Sequence, residues 1–333
     1  MSQRRDILFA LGAAALANAI GARAQQAANA PPQKLWRVGF MWPGSRTIEQ
    51  PYIDTIIGKL RELGYVEGRH FSAEYRFADH NEAMFAAFAA EYARLKMDLI
   101  VTRSTGAALA TKAATRDIPV VFGMVSDPVA SGIITTLARP GGNLTGWSNM
   151  LTDTHEKLIE FLRAVRPKLT HLALLFDVRN PGKVLESTLL KQTASRVGLR
   201  LSVKGLNSAA DVEPALAQIT RERPDGLIVL VDSLTRGHAR RIVDFTAANR
   251  LPAIYQVREF VDAGGLMSYG LNIRRQFERT AEYMHRIFQG RKPSDLPVEQ
   301  PTRIELVINR KAATALGIAI PRDLLLRAEE VIE

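Results

Sequence analysis

Cysteine is absent from all 333 residues. That removes disulfides, thiolate nucleophiles and cysteine-held zinc, and with them the two-thiol racemases that share two-lobed α/β architectures. Histidine is scarce. His70, His80, His155, His171, His238 and His285 are the six present, and no two stand three or four residues apart, as a helical metal pair requires. The chain also lacks a Gly-X-Gly-X-X-Gly turn, a Walker loop, a Gly-X-Ser-X-Gly elbow and a His-Glu-X-X-His helix. No enzyme, metal or cofactor is expected. Like-charged runs are missing too. Despite a net charge of +10, no five consecutive charges share a sign, and basic residues alternate with acidic ones, as in KAATRD (112–117) and RRQFERT (274–280). This describes solvated faces rather than a nucleic-acid surface.

No apolar run is long enough for a convincing membrane span; the longest, Ile7–Ile20, is short and rich in Ala and Gly. It follows Arg4-Arg5 and precedes Ala22-Arg23-Ala24, which is the basic, apolar, small-X-small order of an export signal. The paired arginines suit the twin-arginine route, and Asp6-Ile7 leaves the Sec route open. Cleavage after Ala24 removes three arginines and one aspartate, lowering the charge from +10 to +8. A periplasmic location is expected.

With 47% hydrophobic and 23% charged residues there is an ordinary core to bury, and the length suggests two lobes. After a Pro/Gln/Ala-rich linker (25–34), apolar runs such as WRVGFMW, DLIVT and IPVVFGMV alternate with helical patterns such as PYIDTIIGKLRELGY, TGAALATKAAT and SGIITTLAR. The rhythm restarts near residue 150 with HLALLFD, GLIVLVD and LPAIYQ between further helices. The expected fold is α/β: two Rossmann-like lobes with mostly parallel sheets and a ligand cleft between them. The expected division is 35–149 plus about 264–297 for the first lobe, and 150–263 plus about 298–333 for the second.

In open parallel sheets ligands sit beyond the carboxyl ends of the strands, which selects a short set of loops. Trp42, Gly44 and Ser45 end the first strand, and the indole there could stack on a flat solute. Ser104 and Thr105 open a helix, where hydroxyls and free N–H groups seat a carboxylate or simply cap. Arg103 before them places a cation toward the cleft or toward solvent. Ser126 and Asp127 begin SDPVASGIITTLARPGGNLTGWS, read as a cleft edge leading to a hinge; Asp127 either caps or accepts an ammonium. Asp232 has the same choice and is preferred for the ammonium. Asn180 offers an amide contact, and Tyr255 and Tyr269 suit a pocket wall or hinge packing.

Several ordered blocks, among them ELGYVEGR, SDPVASGIITTLARPGGNLTG, AIYQVREFVDAGGLMSYG and DLPVEQPTRIELVINRKAATALGIAIP, resemble the ABC transporter substrate-binding protein family related to tryptophan/tyrosine-binding lipoproteins. The resemblance implies a type I periplasmic-binding-protein fold that captures a small-molecule ligand by hinge closure. It further implies delivery to a membrane permease with a cytoplasmic ATPase; the chain is expected to be a monomer with no nucleic-acid partner. A ligand-sensing subunit of a signalling receptor is the alternative. Where relatives commonly carry a Thr-Gly-Thr-Pro-like turn, this chain has Arg103-Ser104-Thr105-Gly106.

Overall fold

The computed structural model describes residues 34–149, 154–301 and 303–333; the export-signal segment lies outside them. Apolar strands buried on both faces need helices on both sides, and the chain builds two such sheets. The first consists of β1 (Trp36–Trp42), β2 (Phe71–Phe77), β3 (Leu99–Arg103), β4 (Val120–Val125) and β5 (Leu144–Ser148), all parallel in the order β2-β1-β3-β4-β5. Between them run α1 (Arg46–Glu62), α2 (Met84–Arg94) and α3 (Thr105–Ala114).

The second sheet consists of β6 (His171–Asp177), β7 (Arg200–Leu206), β8 (Gly226–Val229), β9 (Ala253–Tyr255), β10 (Met267–Gly270), β11 (Glu305–Asn309) and β12 (Glu330–Ile332). Its order is β12-β11-β10-β9-β8-β6-β7, with β10 and β11 antiparallel and the other pairs parallel. The later helices are α4 (His155–Val165), α5 (Pro181–Arg196), α6 (Val212–Glu222), α7 (Ser233–Gly237), α8 (Ala239–Ala248), α9 (Glu259–Asp262), α10 (Ile273–Phe288), α11 (Arg310–Leu316) and α12 (Arg322–Leu326). Two mostly parallel α/β lobes are thus present, as the sequence leads one to expect.

The chain crosses between lobes three times. It first leaves β5 for α4. It returns after β10, because α10 buries Ile273, Phe277, Thr280, Met284 and Ile287 along one face against the first sheet. There Phe277 meets Trp42 at 5.8 Å and Trp147 edge-on at 5.7 Å, and Trp147 Nε1 donates to Thr280 Oγ1 at 2.8 Å. The last crossing follows Glu299, whose N–H donates to Gly146 O at 3.0 Å.

These crossings move the expected boundaries. Residues 264–270 lead into and form β10, which pairs with β9 and β11 in the second sheet, so the return crossing comes after residue 270. Val298 and Glu299 stay with the first lobe, where Val298 is buried and Ser148 N–H donates to Glu299 O at 2.9 Å. The expected helix over 131–139 does not form. Gly132 takes φ +68°, Ile133 and Ile134 N–H both donate to Pro128 O, and Thr136 Oγ1 bonds both to Arg139 O and from Arg139 N–H, closing successive turns instead.

Candidate functional site

The carboxyl ends of both sheets face each other, and a narrow cavity lies between them. It leaves only about 10 Å³ free, so the lobes are almost shut on one another, and it is lined by Pro43, Glu82, Arg103, Ser104, Met124 and Asn149 from the first lobe, and by Asn180, Lys183, Val231, Asp232 and Ser233 from the second. The lobes touch across it. A Cβ on Gly182, at the start of α5, would lie 2.9 Å from Ser126 Oγ and closer still to Thr105 Oγ1. Arg179 donates to His80 O, and His80 Nδ1 is 3.2 Å from Ser233 Oγ.

Two long helices point their N-termini at this space. Ser104 caps α3, its Oγ accepting from Ala107 N–H at 3.2 Å, and Asn180 caps α5, its Oδ1 accepting from Gly182 N–H at 3.1 Å. Ser104 holds φ +91° and ψ 157°, a region that costs a side-chain-bearing residue about 1–3 kcal/mol. Met124, with φ +52° where the β4–β5 register shifts, also lines the cavity, and Asp79 and His80 with positive φ precede Glu82. Backbone strain is therefore concentrated around the gap.

The floor is ionic. Arg103, only 2% exposed, donates from Nη1 to Glu49 Oε1 at 2.8 Å and Oε2 at 3.0 Å, and from Nε toward Met124 Sδ at 3.1 Å. Gly44 N–H adds a bond to Glu49 Oε1 at 3.0 Å. Burial lowers the Arg103 pKa, opposed by Glu49. The Arg103 guanidinium lies 5.5 Å from the centre of the Tyr52 ring, and Arg236 reaches the same ring from the second lobe at 4.4 Å while Tyr52 Oη donates to Glu259 Oε1 at 2.5 Å. On the other wall Lys183 Nζ donates to Glu186 Oε2 at 2.6 Å, both side chains being buried. Gln256 also donates to Glu186, and His155 Nε2 stands 3.6 Å from it. Although burial alone would raise it, Lys183 and His155 pull the Glu186 carboxyl down to about 2.

Three carboxylates crowd the opposite corner. Asp177 is gripped by Arg179 through Nε at 3.0 Å and Nη2 at 2.7 Å. Asp232 accepts from Asp177 N–H at 3.1 Å and Thr235 N–H at 3.0 Å; burial and the Asp177 charge push its pKa up. Glu82 is pushed up to about 8, by burial first and then by Asp177 and Asp232, with Arg179 opposing.

Of the residues singled out from sequence, Arg103, Ser104, Asn180 and Asp232 line the cavity. Thr105 and Ser126 lie just behind it at the contact with Gly182, and Gly44 and Ser45 flank Glu49. Asp127 is a local cap, its Oδ1 accepting from Val129 and Ala130 N–H at 3.1 and 2.9 Å. Three aromatics face elsewhere. Trp42 is buried in the first lobe's core beside Phe277. Tyr255 stacks on Phe260 at 4.6 Å and bonds Thr246, and Tyr269 meets Phe161 edge-on at 4.9 Å. Glu82, Met124, Asn149, Lys183 and Val231 line the cavity without having been singled out. Among the described residues no three His, Asp or Glu side chains converge as for a metal ion.

Two helix N-termini and an acidic corner thus face one another across the gap between the lobes, and the whole chain has counterparts among known proteins. The tyrosine-binding protein of Clostridioides difficile (strain R20291) is 25% identical over 278 residues, covering 82% of this chain and 80% of that protein. A solved structure of a conserved domain protein from Vibrio cholerae superposes with a TM-score of 0.83 at 27% identity, covering 90% of this chain and all of the other. A Streptococcus pneumonia ABC domain in complex with L-Trp gives 0.81 at 23% identity with the same coverage. The ligand-free, open structure of a Clostridium difficile substrate-binding protein with adhesive properties gives 0.63 at 25% identity, covering 90% of this chain and 99% of that one. Neighbours of this kind are type I periplasmic binding proteins. Residues 48–332 match the family model for ABC transporter substrate-binding proteins, and the chain belongs to that family.

Proposed function

We propose that this chain is the extracytoplasmic solute-binding component of an ABC importer. It captures an amino acid or a similar small carboxylate between its lobes and presents the closed form to a permease. The observation that carries this reading is the cavity itself, shut between the carboxyl ends of two mostly parallel sheets, with Ser104 strained at the N-terminus of α3 and Asn180 capping α5. Helix N-termini suit a carboxylate because their free N–H groups and dipole favour negative charge. Asp232 and Glu82 on the facing side suit an ammonium. Likeness to proteins whose names record tyrosine and L-Trp supports an amino-acid ligand. The lower TM-score against an open structure supports reading the present arrangement as closed.

The test is calorimetry and thermal shift of the purified protein against the twenty amino acids and a set of small organic acids. Small-angle scattering is recorded with and without the best binder. Micromolar binding accompanied by contraction is expected. Absence of binding across the panel, or binding with no change in shape, overturns the proposal.

A further inference from the structure

Charge pairing around the cavity is uneven. Arg103 is matched by Glu49, Arg179 by Asp177 and Lys183 by Glu186, each through direct ion pairs. Glu82 and Asp232 have no such cation. Asp232 receives backbone N–H groups, and Glu82 accepts no hydrogen bond from any described side chain or backbone group. The remaining nearby cation, Arg236, lies against Tyr52 with Nη2 on Ile48 O at 3.3 Å and does not line the cavity.

A separate observation concerns Asn149. It is 1% exposed, lines the same cavity, and its buried Oδ1 has no donor among the described residues. An orphaned buried acceptor costs about 1–3 kcal/mol, so a donor from the solute is its natural partner. The cavity thus presents two unmatched carboxylates and an unmatched amide oxygen. A single α-ammonium would answer only part of that demand.

Resting on the amino-acid reading above, we propose that the solute carries a second positive group, as in an α-amino acid with an amine or guanidine side chain, and that Glu82 with Asp232 and Asn149 selects it. The α-carboxylate goes to the N-termini of α3 and α5.

The test titrates the full chain by calorimetry with L-lysine, L-ornithine and L-arginine beside L-tryptophan, L-tyrosine and L-leucine, at fixed salt, on wild type and E82Q. Basic amino acids are expected to bind at least tenfold more tightly than neutral ones, and E82Q to narrow that ratio at least tenfold without lowering the ligand-free Tm. Neutral amino acids binding as tightly as basic ones overturns this inference and leaves the amino-acid reading standing. Wild-type selectivity that E82Q leaves intact overturns the role of Glu82. No binding by any of the six overturns the inference, and failure across the wider panel as well removes the amino-acid reading with it.

Discussion

Gly182 offers a substitution whose effects on affinity and on stability have opposite signs. It lies in the first turn of α5, with backbone angles any residue can adopt, so alanine is acceptable to the second lobe by itself. An alanine there gains helix propensity, up to about 1 kcal/mol in a helix interior and less in a first turn. The obstacle comes from the first lobe, where the added methyl would lie 2.9 Å from Ser126 Oγ and 3.2 Å from Ser126 Cβ, and nearer still to Thr105 Oγ1. Crowding of this kind costs about 1–3 kcal/mol, and all of it falls on the closed arrangement. If the solute needs closure, its affinity drops by roughly five- to 150-fold, while the ligand-free melting temperature holds or rises slightly. The assay is calorimetry with the best amino-acid binder, a melting curve and small-angle scattering, with G58A as control because nothing stands within 4 Å of a Cβ there. Wild-type affinity and wild-type contraction in G182A would refute the proposed approach of α5 to α3. A parallel fall in affinity and melting temperature would equally refute it, by locating the damage in the second lobe.

Two further predictions concern buried charge. R103M strands the Glu49 carboxylate with Gly44 N–H as its remaining donor, which should cost about 3–5 kcal/mol in urea unfolding, whereas R103M with E49L should recover most of the loss. Glu186, held down to about 2 from an ordinary 4.5, contributes stability that is complete above pH 4.5 and lost as pH falls toward 2, on the order of 3 kcal/mol. E186Q should flatten the acid limb of the stability–pH curve over that interval, and an unchanged limb would remove Glu186 as its source.

The alternation of strand and helix was legible because strands buried on both faces read as unbroken apolar runs, and the carboxyl-end rule then directed attention to turns. Arg103, Ser104, Asn180 and Asp232 were within reach for that reason: each stands at a strand-to-helix turn. Lys183 and Glu186 were not, since a Lys and a Glu three apart in a helix read as a solvated pair, and Glu186 meets Gln256 and His155 only once distant stretches of the chain come together. Glu82 follows β2 by five residues, and applying the same rule to that strand would have found it. Trp42 illustrates the opposite failure. In a strand with no polar residue from Val38 to Trp42, parity does not say which face is which, and Trp42 shares with Val38 and Phe40 the face that α10 covers, not the one toward a solute. Tyr255 and Tyr269 were misplaced toward the pocket by the same ambiguity at strand ends.

The return of α10 to the first lobe has a consequence for biogenesis. The face carrying Phe40, Trp42 and Trp147 waits for Phe277, so the first sheet stays uncovered on the ribosome until five strands and six helices of the other lobe have been synthesised. That lobe in turn waits for β11 and β12. Closing such long loops is slow, and an unfinished sheet is exposed to aggregation in the interval. The first lobe cannot reach its native state until Glu299 has been made, nor the second until β12, so much of the nascent chain stays unfolded late into synthesis, the condition in which a holding chaperone would meet it.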